Sequence, residues 1–170
     1  DGAVSNLTVY VRLKAAATSS QLNSIKRIYV FANSTTVTDS ISVIGTTFTP
    51  VINNPSVATL SGFGYNAAVG GTSTAQTVNV SASVSAGLGI KAPTNYEVSK
   101  DGTTYADSVF IPSVFGVTHD TVPNTPIYVR LKSGLTAGSY NGNITISSLT
   151  LTSKTIACNG TVVEIGRAHV

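Results

Sequence analysis

The pentapeptide Tyr10-Val11-Arg12-Leu13-Lys14 returns unchanged as Tyr128-Val129-Arg130-Leu131-Lys132. A chain that repeats itself at such a distance is built from copies of one unit, so the repeat constrains the fold before any local pattern does. The residues downstream keep step. Ile41-Ser42-Val43-Ile44-Gly45-Thr46 aligns with Ile156-Ala157-Cys158-Asn159-Gly160-Thr161, and Ile28 and Val30 fall against Ile144 and Ile146. The spacing is about 115 residues, the size of one small β-sandwich. Residues 1–50 match only the second half of the unit that runs over 51–163, so the chain reads as one whole repeat preceded by the C-terminal half of another.

Within 51–163 the apolar period is two, which is the period of a strand with one face buried. Val57–Phe63, Ala75–Val84, Leu88–Ala92, Tyr96–Ser99, Tyr105–Ile111, Pro126–Lys132, Tyr140–Ser148 and Leu151–Val163 each read as strands, enriched in β-branched residues. Turn chemistry separates them: Lys100-Asp101-Gly102 predicts a tight hairpin, Ala137-Gly138 and Asn141-Gly142 predict bends, and Pro93, Pro112 and Pro123 are placed between strands. Eight short strands at this spacing predict an all-β fold, an immunoglobulin-like (Ig-like) antiparallel β-sandwich. Ala15–Arg27 carries Leu22, Ile25 and Ile28 at helical spacing, but its counterpart Ser133–Asn143 contains three glycines, and both are read as loops.

Composition narrows the function classes. Ten Lys and Arg against seven Asp and Glu give a net charge of +3, with only 10% of residues charged. The cations are scattered instead of clustered along one stripe, which argues against a nucleic-acid partner. One Cys cannot close a disulfide within the chain, and no apolar run approaches the ~20 residues of a membrane-spanning helix, so no membrane insertion is expected. No leader sequence is visible, and a signal peptide is expected upstream. At the other end residues 164–170 have no periodicity. Ile165–Val170 is the six-codon reading of ATCGGAAGAGCACACGTC, the start of a common sequencing adapter, and the tail is expected to be read-through.

The ordered set Ser56–Phe63, Ala75–Ser81, Ala92-Pro93-Thr94-Asn95-Tyr96-Glu97-Val98-Ser99, Asp101–Tyr105, Ile127–Lys132, Ala137-Gly138-Ser139-Tyr140-Asn141-Gly142 and Thr155–Val162 resembles the Ig-like repeats strung in tandem along large secreted and surface proteins of environmental bacteria. The match spans nearly all of 56–163. The resemblance implies a non-catalytic module that spaces, stiffens or adheres, exported by the type IX route to the cell surface or medium, with neighbouring repeats of the same polypeptide as its partners. The first copy departs from the pattern, because Gln21-Leu22-Asn23-Ser24 stands where Ala-Gly-Ser-Tyr is expected.

Several residues invite a chemical reading. Tyr140, after Ala137-Gly138, fits a tyrosine corner whose hydroxyl ties back to an upstream carbonyl. Alternation sends Val129 and Leu131 to one face and Tyr128, Arg130 and Lys132 to the other. That outward row suits an acidic polysaccharide through stacking and charge, or it is a solvated face whose cations discourage edge pairing. Cys158, aligned with Val43, reads as a small buried hydrophobe. His119-Asp120 lacks a nucleophile elbow, so no catalytic residue is expected and the chain is not read as an enzyme. Asp101, Asp107 and Asp120 lack EF-hand spacing, which leaves only a loop calcium open; no cofactor or metal is assigned.

Three of the five Asp fall in Asp39-Ser40-Ile41, Asp107-Ser108-Val109 and Asp120-Thr121-Val122. The pattern resembles the O-glycosylation acceptor of the lineage carrying these repeats, which would make Ser40, Ser108 and Thr121 acceptors if exposed. Plain alternation in Thr-rich strands gives the same pattern. The Asn-x-Ser/Thr matches at Asn6, Asn33, Asn79, Asn143 and Asn159 carry little information in this composition. The role expected is a structural or adhesive spacer repeat, with a carbohydrate-binding module of a secreted enzyme as the alternative. A half-repeat also leaves its inward row short of cover, so Val11, Leu13, Ile28, Val30, Ile41 and Val43 are expected to be more exposed than Val129, Leu131, Ile144, Ile146, Ile156 and Cys158.

Overall fold

The computed structural model describes residues 26–32, 36–43, 48–115, 119–149 and 151–165. The chain divides into two compact units, Asp1–Phe48 and Thr49–Val170.

In the second unit the described residues form ten strands and no helix, as the period-two pattern requires. These are β3 (Val51–Ile52), β4 (Thr59–Asn66), β5 (Gln76–Ser83), β6 (Leu88–Lys91), β7 (Tyr96–Ser99), β8 (Ser108–Ile111), β9 (Val114–Phe115), β10 (Asp120–Leu131), β11 (Gly138–Ser147) and β12 (Lys154–Val163). They make two sheets, β3-β5-β10-β7 with β9 added to β10, and β4-β12-β11-β6-β8. The two sheets make an Ig-like sandwich. Its core is aliphatic: Val78, Val80, Val98, Ile127, Val129 and Leu131 from one sheet meet Leu88, Ile90, Ile144, Ile146, Ile156 and Cys158 from the other. Burial alternates along β5, β10, β11 and β12, which is why each reads so clearly in the sequence.

Three local expectations are corrected. Pro123 lies inside β10, not between strands; the register slips between Val122 and Thr125, and the bulge takes up Pro123 and Asn124, both exposed, where no ladder N–H is needed. Asn141-Gly142 is no bend but the middle of β11, opposite Asn159 and Cys158. Glycine is required there for a different reason, since a Cβ at 142 would sit 2.6 Å from Pro93 Cβ. The hairpin at Lys100-Asp101-Gly102 is wider than a two-residue turn, closing only at the Val98–Ala106 bridge, although Gly102 does adopt φ +73°. One pairing is also parallel, β4 along β12, with Gly62 at φ +83° as the extra residue of a bulge between Ser61 and Phe63.

The chain crosses the sandwich from end to end. Pro50 and Val51 share a groove with Leu151 and Lys154, so the start of the unit lies beside the β11–β12 turn. From Lys154, β12 runs ten residues to Val163, where Ala67 N–H donates to Val163 O. At about 3.3 Å per residue, roughly 30 Å separates the two ends.

In the first unit the described strands are β1 (Lys26–Ala32) and β2 (Thr36–Val43), paired antiparallel. Ile28 faces Ile41, Lys26 faces Val43 and Val30 faces Asp39. The aligned pairs in the second unit are Ile144 with Ile156, Gly142 with Cys158 and Ile146 with Lys154. From Lys26–Val43 to Val30–Asp39 the hairpin thus repeats the register of β11–β12, and beyond Val30 a bulge sets it apart. Burial differs: Ile41 is 58% exposed where Ile156 is 0%, and Ile28 is half-buried where Ile144 is buried. Val11 and Leu13, the side chains of Val30 and Val43, and residues 15–25 of the Ala15–Arg27 loop reading lie outside the described residues, as do residues 166–170; Lys26 and Arg27 are not loop but the start of β1, and Glu164 and Ile165 are exposed.

Candidate functional site

The outward row of β10 lies on the sheet flanked by β5 and β7. Val129 and Leu131 are buried, and Tyr128, Arg130 and Lys132 are half-buried on the opposite face. Register places Arg130 across from Glu97 and Tyr128 across from Ser99 and Thr77. Arg130 Nε donates to Glu97 Oε1 at 2.7 Å, and the guanidinium carbon sits 3.6 Å from the centroid of the Tyr105 ring. Lys132 Nζ lies 2.5 Å from Asp107 Oδ1. Each cation of the row is therefore matched by an acid from the β7–β8 side. Burial raises the Tyr105 hydroxyl pKa, opposed by the Arg130 charge.

The loop beneath this row is built on Asp101. Its carboxylate accepts from Thr104 N–H (2.7 Å), Thr103 N–H (2.8 Å) and the Ser99 hydroxyl (2.8 Å), and these bonds, Thr104 first, hold it well below the usual carboxylate range. Ser99 Oγ accepts in turn from Gly102 N–H at 2.9 Å. Gly102 brings the loop under the Tyr128 ring, 3.5 Å from where a Cβ would stand. All three of these bonds converge on Asp101 Oδ1 from its own loop, and Asp107 pairs with Lys132. Among the described residues no three of His, Cys, Asp or Glu converge as a metal site.

A second constellation gathers at the end of the sandwich where β12 terminates. Tyr140 Oη donates to Thr136 O at 2.7 Å, closing a tie to a carbonyl four residues upstream. Tyr96 Oη donates to Tyr140 O at 2.7 Å, and Tyr65 Oη donates to Lys132 O at 3.0 Å while accepting from Leu135 N–H at 2.9 Å. Three tyrosines from three strands therefore hold the β10–β11 crossover. Tyr96 is buried edge-on against Phe63, ring centroids 5.2 Å apart, and its hydroxyl is pushed up to about 12, by burial first and then by Cys158. Sequence reasoning singled out Tyr140 alone. Tyr96 carried a signal in its period-two company with Val98; Tyr65 carried none, because its partners are backbone atoms about 70 residues away.

The remaining residues separate. Cys158 is fully buried in the core and its thiol is raised to about 11 by burial. Ser108 is exposed at the start of β8, next to Asp107, whereas Thr121 is half-buried in β10 opposite Val114. Ser40 pairs through its backbone with Tyr29, and its side chain lies outside the described residues. His119 and Asp120 are half-buried at the start of β10. A groove of about 420 Å³ along β6 and β8 is lined by Lys91, Ser108, Phe110 and neighbouring backbone, with no carboxylate, imidazole or thiol in its wall.

No family model and no curated protein matches the chain. Among solved structures, the chain is similar to the CooA pilin subunit from enterotoxigenic Escherichia coli. The match covers 67% of this chain and 98% of that one, at 17% identity and a TM-score of 0.39, a likeness too low to bear on function.

Proposed function

We propose that the chain is a non-catalytic spacer segment of a longer exported, surface or secreted protein. Residues 51–163 are one complete module, and residues 1–50 are the C-terminal half of another. The observation that carries this reading is the placement of the two ends of the module on opposite poles, about 30 Å apart along β12. Modules joined through such ends extend the polypeptide with every copy. The shared register of β1–β2 and β11–β12 supports the tandem origin.

The outer face of β10 favours a structural role over polysaccharide capture. An acidic sugar would have to displace Glu97 from Arg130 and Asp107 from Lys132, and a neutral one would compete with Arg130 for the Tyr105 ring. The carbohydrate-binding alternative rests on the pair Tyr105 and Tyr128, and retention on insoluble polysaccharide that is lost in Tyr105→Ala would favour it. The spacer geometry is tested by spin labels at Val51→Cys and Val163→Cys in a Cys158→Val background. Both sites are exposed. A distance near 30 Å is expected; a distance under about 20 Å would place both ends at one pole and remove the basis of the proposal.

A further inference from the structure

The β1–β2 hairpin has an architectural twin whose surroundings are known. In the second unit β11 is bordered by β6, with Ile146 opposite Ile90, and β12 is bordered by β4 in parallel, with Cys158 opposite Leu60. Ile144 and Ile156 are then sealed in the core. Among the described residues β1 and β2 form a sheet of two strands only. Ile41 stands 58% exposed at the position of Ile156. Two strands alone are marginal in water, and an apolar face in that state is a template for pairing.

We propose that β1–β2 is the docking face for the N-terminal half of a repeat, a segment with the chemistry of residues 49–118. A strand of the β4 type adds parallel along β2, placing a Leu60-type residue opposite Val43. A strand of the β6 type adds antiparallel along β1, placing an Ile90-type residue opposite Val30. Exposed Ile41 and half-buried Ile28 pass into the core that this completes. The occupant follows from the twin: the same register, with isoleucines at the same paired positions, is covered in the second unit by those two strands and by β5 and β10 of the facing sheet. The inference uses the repeat alignment behind the proposed function and not the spacing role, so the label distance and the experiment below fail independently.

The test places a copy of residues 49–118 in front of Asp1 of the full chain and follows amide hydrogen exchange residue by residue. Docking slows exchange at Ile28 and Ile41 by about 100-fold or more relative to the unextended chain, the difference between a fraying hairpin and a closed core. The amides of 76–83 and 127–131 report in the same sample that the native sandwich is intact. Leu60→Asp together with Phe63→Asp, made only in the added copy, abolishes the slowing. Three results overturn the proposal: unchanged exchange at 26–43 in the extended chain, slowing that survives the two Asp substitutions, or an unextended chain that sediments as a dimer with 26–43 already protected, which would make a second copy the occupant.

Discussion

Gly160→Ala places one methyl where three side chains already meet. A Cβ at 160 would stand 2.8 Å from Tyr96 Oη, 2.9 Å from Leu131 Cδ1 and 3.0 Å from Phe63 Cβ, in a residue that is itself buried. Leu131, Phe63 and Tyr96 are all buried too, so no neighbour can swing into solvent. Overpacking of this kind costs about 1–3 kcal/mol. The closest clash adds to it, because moving Tyr96 Oη endangers its 2.7 Å bond to Tyr140 O, worth about 0.5–1.5 kcal/mol net. The sum, about 2–4 kcal/mol, is a large part of the ~5–15 kcal/mol that holds a domain together. Urea unfolding followed by circular dichroism should show the midpoint falling with an unchanged slope. Tyr96→Phe removes the closest atom, so the double variant should be less destabilised than the sum of the singles by about 1 kcal/mol. A Gly160→Ala protein within ~0.5 kcal/mol of the parent, or strict additivity with Tyr96→Phe, would refute the close approach of β12 to Tyr96.

The remaining predictions concern the twin hairpins, alkaline pH and the outer face. Ile156→Ala should cost about 2–5 kcal/mol as a fully buried deletion, while Ile41→Ala, at an exposed position, should stay within ~0.5 kcal/mol in the same urea assay. The folded protein holds Tyr96 at about 12 and Cys158 at about 11, above their unfolded values of 10.0 and 9.0, so it keeps protons that the unfolded chain gives up. The contribution of these two groups should therefore be constant below pH 9 and fall between about pH 9 and 12, by on the order of 2–3 kcal/mol for each group. Cys158→Val, neutral within about 1.5 kcal/mol at pH 7, should remove the part of that decline that begins at pH 9, as a pH series of urea midpoints would show. Arg130→Ala should cost only about 1 kcal/mol, because its partners Glu97 and Tyr105 sit at a partly solvated face.

Strand identity was legible where alternation runs over several residues, as at Val78-Asn79-Val80 and Ile127-Tyr128-Val129, because alternation in the sequence is alternation of environment, whereas the two-residue β3 and the Asp120–Thr125 start of β10 were not read as strands. The internal repeat extends into the pairing, since Ile28–Ile41 and Ile144–Ile156 share one register. What escaped were features set by distant neighbours. Asn141-Gly142 carries the composition of a turn, but its glycine answers to Pro93, about 50 residues earlier in the chain. Pro123 reads as a strand stop and is absorbed by a bulge in β10. The parallel seating of β4 on β12 has no local signature at all, for period two is the same in either direction. The outward row at Tyr128, Arg130 and Lys132 was legible as a face, whereas its closure by Glu97, Tyr105 and Asp107 depends on the Val98–Ala106 bridge that brings the loop back beside β7.

The claim that this module lengthens a polypeptide is most directly tested by small-angle scattering from chains holding one, two and three copies of residues 49–163 in tandem. Modules with ends at opposite poles should raise the maximum dimension by about 30 Å or more with each added copy, in a near-linear series. A maximum dimension that stays almost constant from two copies to three, as the copies fold back on one another, would contradict it.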